Sequence, residues 1–187
     1  MKKPLIIVIE GTDNTGKDTQ QKLIIKNFSD LTFHCFHYSS LPFKDKIKHI
    51  EYSTLMYDDM FSLIKDNLDK TDRNFIFNRS HLGEAVYSPL YRDYSGDYVF
   101  DIEEKWIDDL KDHIYLIVLT NDPKTILKRD DGLSFYKDEK GVQNEIELFE
   151  KAFDKSKIKN KILINVGDKN AEEVGMIIEK FIKNESI

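Results

Sequence analysis

The sequence has 187 residues, a length that suits one well-buried core and is short for two. Hydrophobic residues make up 40% and charged residues 33%, as in ordinary globular proteins, and no apolar run approaches the roughly 20 residues that span a bilayer. The formal net charge of −6 disfavours a broad nucleic-acid footprint, because phosphate backbones attract basic surfaces. We therefore predict one domain over 1–187, with no membrane partner and no extended nucleic-acid partner.

The cysteine content and the N-terminal residues bear on location. A single cysteine, Cys35, cannot form an internal disulfide and predicts a reducing, cytoplasmic environment. The apolar run PLIIVI follows two lysines, as in a signal peptide, but it is short and meets Glu10 without a small-residue cleavage site. A buried strand is the better interpretation of this run.

Apolar runs with strand character alternate with helical patterns along the chain. The strand-like runs are 5–9, 33–38, 74–78, 113–119 and 161–166. Four apolar stripes at helical spacing lie between or after them: Leu23, Ile24 and Phe28; Leu55, Met56, Met60, Leu63, Ile64 and Leu68; Val99, Ile102, Trp106 and Leu110; Val174, Ile177, Ile178, Phe181 and Ile182. This alternation predicts an α/β fold, a five-stranded parallel sheet with helices on both faces. Ligands of such sheets bind beyond the carboxyl ends of the strands, which selects the loops 10–18, 38–45 and 78–92.

The first strand leads into EGTDNTGKDTQ, residues 10–20, which has the GxxxxGK spacing of a phosphate-binding P-loop. Such a loop wraps backbone N–H groups around phosphate oxygens, and the helix that follows adds partial positive charge. Lys17 would reach the β and γ phosphates of ATP. The predicted ATP-binding residues are Gly11, Thr12, Asp13, Asn14, Thr15, Gly16, Lys17, Asp18 and Thr19.

Asp18 departs from the P-loop pattern, which has a Ser or Thr hydroxyl for Mg²⁺ at this position. A carboxylate can ligate the ion directly, but it can also repel the triphosphate. An acidic residue in the first turn of a helix is also unremarkable on its own, and Thr19 offers a neighbouring hydroxyl.

The third strand leads into NRSHLGEAVYSPLYR, residues 78–92. Arg79 lies at the mouth of the sheet opposite the P-loop and offers a planar fork for a second phosphate, and Arg92 can add another. An arginine at a strand end can equally form a surface ion pair. Tyr87 and Tyr91 supply stacking surface for a base, although aromatic residues at this spacing also suit the core face of a helix.

The segments IEGTDNTGKDTQ, NRSHLGEAVYSPLYR and VLTNDPKTILKRDDG together resemble those of the thymidylate kinases, or more broadly of deoxynucleoside monophosphate kinases of the kind carried by phages. The resemblance implies the P-loop nucleoside monophosphate kinase fold with a mobile lid, and ATP and Mg²⁺ as cofactors. The implied acceptor is a deoxynucleoside monophosphate, with dTMP as the leading candidate. It also implies a homodimer and a cytoplasmic location, which is the host cytoplasm for a phage-encoded protein.

The family P-loop reads approximately EGxDxxGK(S/T)TQ, which this chain matches at Glu10, Gly11, Asp13, Gly16, Lys17, Thr19 and Gln20. The resemblance implies that Glu10 and Asp13 lie near the acceptor nucleotide. Relatives also use an aromatic residue in the neighbourhood of Phe43 against the acceptor base. A core position suits Phe43 equally, because the family's Arg-Glu-Pro is absent here.

The family's Asp-Arg-(Tyr/His) motif after the third strand is matched only at Arg79, with Asn78 in place of the acid. In the family the Mg²⁺ site draws on the P-loop hydroxyl and on this acid. Here the two positions hold Asp18 and Asn78, so the carboxylate has changed places and the local charge is the same. We hypothesise that Asp18 holds the ion and that Asn78 hydrogen-bonds it. Ser88 replaces the glutamine that faces the base in the family, so the acceptor base stays open.

Relatives supply a transition-state arginine either from the P-loop or from the lid. The P-loop position is Asn14 here, so the resemblance implies that the lid, about 127–143, provides the cation. Arg129 is the leading candidate for this catalytic role, with Lys128 second, and the predicted catalytic set is Lys17, Asp13, Arg79 and Arg129. A charged run of this kind is also typical of plain solvated surface.

Two other functions remain open from the sequence. A deoxynucleoside kinase is one, because its Glu-Arg-Ser motif is echoed in NRS, but its glutamate base after the second strand has no counterpart in FHYSS. A protein that binds nucleotide without turnover is the other. Assays of dTMP against thymidine separate the two kinases.

Overall fold

The computed structural model describes residues 4–38, 44–71, 73–110 and 112–184. Its sheet has five parallel strands in the order β2-β3-β1-β4-β5. The strands are β1 (Ile6–Gly11), β2 (Phe33–His37), β3 (Asn74–Asn78), β4 (Ile114–Thr120) and β5 (Asn160–Asn165). The helices are α1 (Lys17–Asn27), α2 (Lys46–Lys70), α3 (His81–Tyr91), α4 (Tyr98–Leu110), α5 (Pro123–Lys128), α6 (Glu139–Lys155) and α7 (Ala171–Lys183). Within these ranges, no helix is both long enough and apolar enough to cross a membrane.

The central strand β1 supplies side chains to both faces of the sheet, as the period of two along a strand requires. Ile6 and Val8 join a core on one face with residues of α2, α3, α4 and α6. Ile7 and Ile9 join a second core on the other face with residues of α1 and α7. All four β1 side chains are fully buried, which explains why the run reads as continuously apolar rather than alternating.

The predicted fold class, a parallel five-stranded sheet with helices on both faces, is confirmed. The third strand matches its predicted range, 74–78, and the other four strands differ at one or both ends by one or two residues. The first strand extends to Gly11 because that residue still pairs with Leu119 of β4. The predicted lid, 127–143, overlaps two helices, so only 129–138 lie between α5 and α6.

The order of the strands brings the loops that matter to one edge. Since β1 lies between β3 and β4, the loops after these three strands leave the sheet side by side. The loop after β1 enters α1, the loop after β3 enters α3, and the loop after β4 enters α5. Gly11 fixes the first exit: its φ is 132°, and a Cβ there would lie 2.0 Å from the carbonyl oxygen of Leu119.

Candidate active site

Lys17, the first residue of α1, is buried beneath the loop after β1. Its Nζ donates to the carbonyl oxygens of Gly11 at 2.9 Å and Thr12 at 2.7 Å, and it lies 3.8 Å from Oδ1 of Asp13. Burial, together with the nearby charge of Arg79, lowers the pKa of Lys17 to about 8. The loop therefore holds an ammonium at the mouth of β1, as a P-loop requires.

The loop and the segment after β4 enclose a cavity of about 500 Å³, which we call the donor cavity. Its walls are Asp13, Asn14, Gly16, Lys17, Asp18, Thr19, Arg79, Arg129, Asp131, Leu133 and Ser134. Three of these side chains are cations, which suit phosphate oxygens, and three are carboxylates, which suit a metal ion that accompanies a polyphosphate. The structure thus brings Arg129 to the predicted ATP site, whereas Lys128 is not among the lining residues.

Asn14 joins the P-loop to the segment 129–138. Its Nδ2 donates to the hydroxyl of Tyr136 at 2.9 Å and reaches Ser134 Oγ at 3.3 Å and Asp130 Oδ1 at 3.4 Å. Asn14 therefore hydrogen-bonds the segment that contains the cation Arg129. The contact between Asn14 and this segment is compatible with the predicted lid role.

A second cavity of about 300 Å³, the acceptor cavity, lies between α2 and α3. It is lined by Glu10, Asp13, His37, Tyr38, His49, Tyr52, Ser53, Met56, Tyr57, Arg79, Ser80, Gly83, Glu84, Tyr87, Arg92 and Phe135. Arg79 and Asp13 line both cavities and form their shared wall. Phe43, the predicted aromatic partner of the base, lies outside the described residues.

Arg79 is fixed in place by its backbone and its side chain. Its N–H donates to Ile9 O at 2.9 Å, and its Nη2 donates to Asp13 Oδ1 at 2.7 Å. Its φ of 71° is left-handed, a conformation that costs a non-glycine residue about 1–2 kcal/mol. Strain of this kind persists where the surroundings over-determine a residue, often at a functional site.

Glu10 binds the start of α3 rather than standing free in the acceptor cavity. Its Oε1 accepts the backbone N–H of Ser80 at 2.6 Å and of Gly83 at 3.1 Å, and the Ser80 hydroxyl at 2.9 Å. A carboxylate at a helix N-terminus satisfies donors that have no partner within the helix. Glu10 lines the acceptor cavity, and it also fixes α3 to β1.

Asp18 and Asn78, the predicted Mg²⁺ pair, are in contact. The Asn78 Nδ2 donates to Asp18 Oδ1 at 2.5 Å and to Gln21 Oε1 at 3.1 Å. The Oδ1 of Asn78 is buried and has no hydrogen-bond partner among the described residues. No cluster of three or more His, Cys, Asp or Glu side chains suited to a metal occurs in that part of the chain. Carboxylate and amide oxygens beside a phosphate site fit Mg²⁺, which takes few protein ligands when phosphates supply the rest.

Tyr87 and Tyr91, the residues predicted to stack on a base, are neighbours on α3, and their rings stack on each other at a centroid distance of 6.1 Å. Tyr87 lines the acceptor cavity, and its buried hydroxyl has no partner among the described residues. Tyr91 lines neither cavity, and its stacking on a base stays a prediction. Its ring stacks on Phe135 at a centroid distance of 4.8 Å, and its hydroxyl donates to Glu145 Oε1 at 2.5 Å. Tyr91 therefore connects α3 to the lid and α6.

Arg92 lies at the other end of α3 from Arg79, although both were predicted to bind phosphate. Its Nη1 donates to Glu84 Oε2 at 2.5 Å and reaches Ser88 Oγ at 3.3 Å. The two arginines thus mark opposite ends of the acceptor cavity. Glu84, Phe135 and Glu145 are not predictable from the sequence. Each contacts a residue that is distant in the chain, and a charged or aromatic residue in a helix or a polar loop does not indicate which residue that is.

Several solved structures are similar to this chain along most of its length. The Bacillus subtilis YorR protein in complex with phosphorylated GDP matches with a TM-score of 0.68 and 19% identity over 95% of each chain. Thymidylate kinase from Candida albicans matches with a TM-score of 0.64 and 18% identity, over 97% of this chain and 92% of that one. Thymidylate kinase from Ehrlichia chaffeensis gives 0.63 and 15%, over 95% of this chain and 98% of that one.

The chain has the fold of the thymidylate kinases. No protein-family model matches the sequence, and no curated protein matches it. At 15–19% identity, this similarity establishes the thymidylate kinase fold alone. The chemistry depends on the residues of the two cavities and of their shared wall.

Proposed function

We propose that this chain transfers the γ-phosphate of ATP to a deoxynucleoside monophosphate, with dTMP as the leading acceptor. One observation carries the proposal: Arg79 stands in the wall between a cavity with P-loop walls and a second cavity of nucleotide size. Phosphoryl transfer requires alignment of two phosphates and neutralisation of the charge between them, more than it requires covalent chemistry. A guanidinium fixed between the cavities supplies both.

The roles of the cations follow from where they lie. Lys17 binds the β and γ phosphates, and the P-loop backbone cradles the rest of the tail. Arg79 binds the acceptor phosphate and is oriented by Asp13. Arg129 closes on the transferred group from the lid, where charge develops in the transition state.

Mg²⁺ is the second cofactor of the proposal. Asp18 would hold the ion directly or through water, and Asn78 hydrogen-bonds Asp18 and has a buried Oδ1 without a partner among the described residues. When bound, the ion would neutralise charge on the triphosphate and orient it. With the carboxylate at Asp18 instead of at the position of Asn78, the site keeps one negative charge.

A panel of nucleotides and nucleosides tests the reaction. With ATP and Mg²⁺, we expect a diphosphate product from at least one deoxynucleoside monophosphate and no product from thymidine. Arg79→Gln is expected to lower kcat/KM for the acceptor about 100-fold or more, because it removes a charged donor from the transferring phosphates. Arg73→Gln, a change at the opposite, amino-terminal end of β3, is the matched control.

The other outcomes are equally informative. Phosphorylation of thymidine but not of dTMP would replace the proposal with a deoxynucleoside kinase. Binding of ATP without any product would replace it with a nucleotide-binding protein without turnover. An Arg79→Gln variant as active as wild type would refute the assignment of the shared wall.

A further inference from the structure

A buried histidine and a buried glutamate form a pair outside both cavities. His81 is the first residue of α3, Glu103 belongs to α4, and neither side chain has any exposed surface. Nε2 of His81 lies 2.8 Å from Oε2 of Glu103. Neither residue is among those that line the donor cavity or the acceptor cavity. Any effect of this pair on the reaction therefore has to act through another residue.

Glu103 is ionised and accepts hydrogen bonds from two parts of the structure besides its own helix. Burial opposes its ionisation, but the hydrogen bonds that it accepts, chiefly from His81, keep its pKa below the ordinary value. The Ser156 hydroxyl donates to Oε2 at 2.7 Å, and the Lys157 backbone N–H donates to Oε1 at 2.5 Å. An ionised carboxylate has no donor, so Nε2 of His81 carries the proton of their hydrogen bond. Glu103 thus joins the start of α3 to the end of α6.

The imidazole of His81 has one hydrogen bond to the part of the chain that the structure describes. Its ring lies edge-on to two rings of α2, with centroid distances of 5.1 Å to Phe61 and 6.4 Å to Tyr57. Its Nδ1 is buried and has no hydrogen-bond partner among the described residues. The contact with Glu103 is therefore the polar contact that orients this side chain.

The backbone of Arg79, two residues before His81, is left-handed, with a φ of 71°. This conformation is unfavourable for a residue other than glycine, so it persists where the chain is held on both sides of it. On the β3 side, the N–H of Arg79 donates to Ile9 O at 2.9 Å. The direction in which the guanidinium leaves the chain therefore depends on what holds the α3 side.

Two buried carboxylates hold the α3 side. Glu10 of β1 accepts the backbone N–H groups of Ser80 and Gly83. Glu103 of α4 accepts the side chain of His81 instead, and so it limits rotation of the first turn about the helix axis. Without the second contact, the turn that follows Arg79 would stay attached to β1 but would lose its hydrogen bond to α4.

We infer that His81 is a positioning residue, whose hydrogen bond to Glu103 holds the left-handed turn that directs Arg79 to the acceptor phosphate. This inference rests on the proposed function and adds a residue that acts on the reaction from outside both cavities. Alignment is what this reaction requires most, and a displacement of about 1 Å can cost about 100-fold in rate. The role of Glu103 is to orient the imidazole.

Two amide substitutions of His81 test the inference. The amide of His81→Gln reaches the place of Nε2 and can still donate to Glu103, whereas the shorter side chain of His81→Asn cannot. With ATP and Mg²⁺, we expect kcat/KM for the monophosphate acceptor to fall about 10- to 100-fold in His81→Asn and to stay within about threefold of wild type in His81→Gln. The KM of ATP is expected to be unchanged in both. Equal values of kcat/KM in the two variants would overturn the inference.

A double-mutant cycle with Arg79→Gln separates positioning from a general structural role. If His81 acts through Arg79, His81→Asn has no further effect on kcat/KM in the Arg79→Gln background. A merely structural role lowers kcat/KM by the same factor in both backgrounds, and that result would contradict the inference.

Ser156→Ala is the matched control, because it removes another hydrogen bond to the same oxygen of Glu103 without touching α3. We expect this variant to unfold at a lower urea concentration than wild type and to keep the wild-type kcat/KM. A loss of kcat/KM as large as that of His81→Asn would refute the positioning role, since any weakening of the buried cluster would then have the same effect.

Circular dichroism reports whether each variant folds. If His81→Asn does not fold, the double variant His81→Leu, Glu103→Leu takes its place, because neither member of the pair is then left without its partner. The same loss of kcat/KM and the same lack of effect in the Arg79→Gln background are expected, and a wild-type kcat/KM would refute the inference. Absence of a diphosphate from every monophosphate with wild-type protein would refute the proposed function instead, so the two failures are distinguishable.

Discussion

Asp18 departs from the P-loop pattern, and Asn78 departs from the Asp-Arg-(Tyr/His) motif after the third strand. Their contact, at 2.5 Å, places the carboxylate and the amide within one site. We expect Asp18→Ala to lower kcat about 100-fold and to raise the Mg²⁺ concentration needed for half-maximal rate, because the ion loses its charged protein ligand. Titration of activity with MgCl₂ measures both.

The double variant Asp18→Ser, Asn78→Asp is the matched control for this prediction. It restores the usual hydroxyl and moves the carboxylate across the contact, so we expect more activity than in Asp18→Ala. An alanine variant with the wild-type Mg²⁺ dependence would show that Asp18 is only an acid in the first turn of α1.

The candidate site divides into residues that the sequence predicts and residues that it does not. The P-loop residues are predictable because their spacing encodes backbone geometry within a single turn. Glu84 is not predictable, because two of the hydroxyl groups that donate to it belong to tyrosines 10 and 14 residues further along the chain. Glu145 lies 54 residues from its partner Tyr91, so only the folded chain connects them.

Asn14 of the P-loop hydrogen-bonds the segment between α5 and α6. We expect Asn14→Ala to raise the KM of ATP about five- to tenfold, because losing hydrogen bonds of about 1 kcal/mol each frees the segment that carries Arg129. The control is Gln143→Ala, which removes an exposed hydrogen bond within α6. An unchanged KM in Asn14→Ala would show that the segment stays in place without this contact.

Helices α3 and α6 are connected through a buried carboxyl group. Glu145 of α6 accepts the hydroxyl of Tyr91, but its Oε2 has no partner among the described residues. Burial raises the pKa of Glu145 from 4.5 to about 7, despite the hydrogen bond from Tyr91. Between these two pH values the folded state holds a proton that the unfolded state has lost.

Stability linked to Glu145 therefore falls as the pH rises from 4.5 to about 7. The variant Glu145→Gln lacks this titration. We expect its free energy of unfolding to increase relative to that of wild type by about 2–3 kcal/mol between pH 4.5 and pH 8, because only wild type loses stability over this range. Urea unfolding at several pH values measures the difference. A constant difference across this range would contradict a raised pKa.

The success of the strand predictions has a simple physical basis. A strand buried on both faces is apolar at most positions, so residues 6–9 of β1 and 75–77 of β3 stand out as continuous runs. Helices α3 and α6 were harder to predict, because α3 contains Gly83 and Pro89 and α6 begins within a charged run. The stripe of Val142, Ile146 and Phe149 was the available signal for α6.

At the scale of the whole molecule, the outer face of α2 leaves apolar side chains uncovered. Ile47 and Leu55 are 68% and 61% exposed, and Leu55 borders a groove between α2 and α4 together with Ile50 and Ile102. We propose that two copies associate through this face, and we expect light scattering to give about twice the chain mass of 22.0 kDa.

Substitution tests the location of this interface. Leu55→Glu is expected to shift the protein toward monomer, whereas Met176→Glu on α7, also an exposed apolar residue, leaves the mass unchanged. A wild-type mass of one chain at micromolar concentration would refute the dimer.

Two adjacent residues of the segment 129–138 line different cavities. Ser134 lines the donor cavity, and Phe135 lines the acceptor cavity while stacking on Tyr91. A displacement of the segment 129–138 would therefore change the walls of both cavities. Under the proposed reaction, an empty acceptor cavity leaves Phe135 without a ligand to pack against. Idle hydrolysis of ATP by water is then expected to be slow until the second nucleotide arrives.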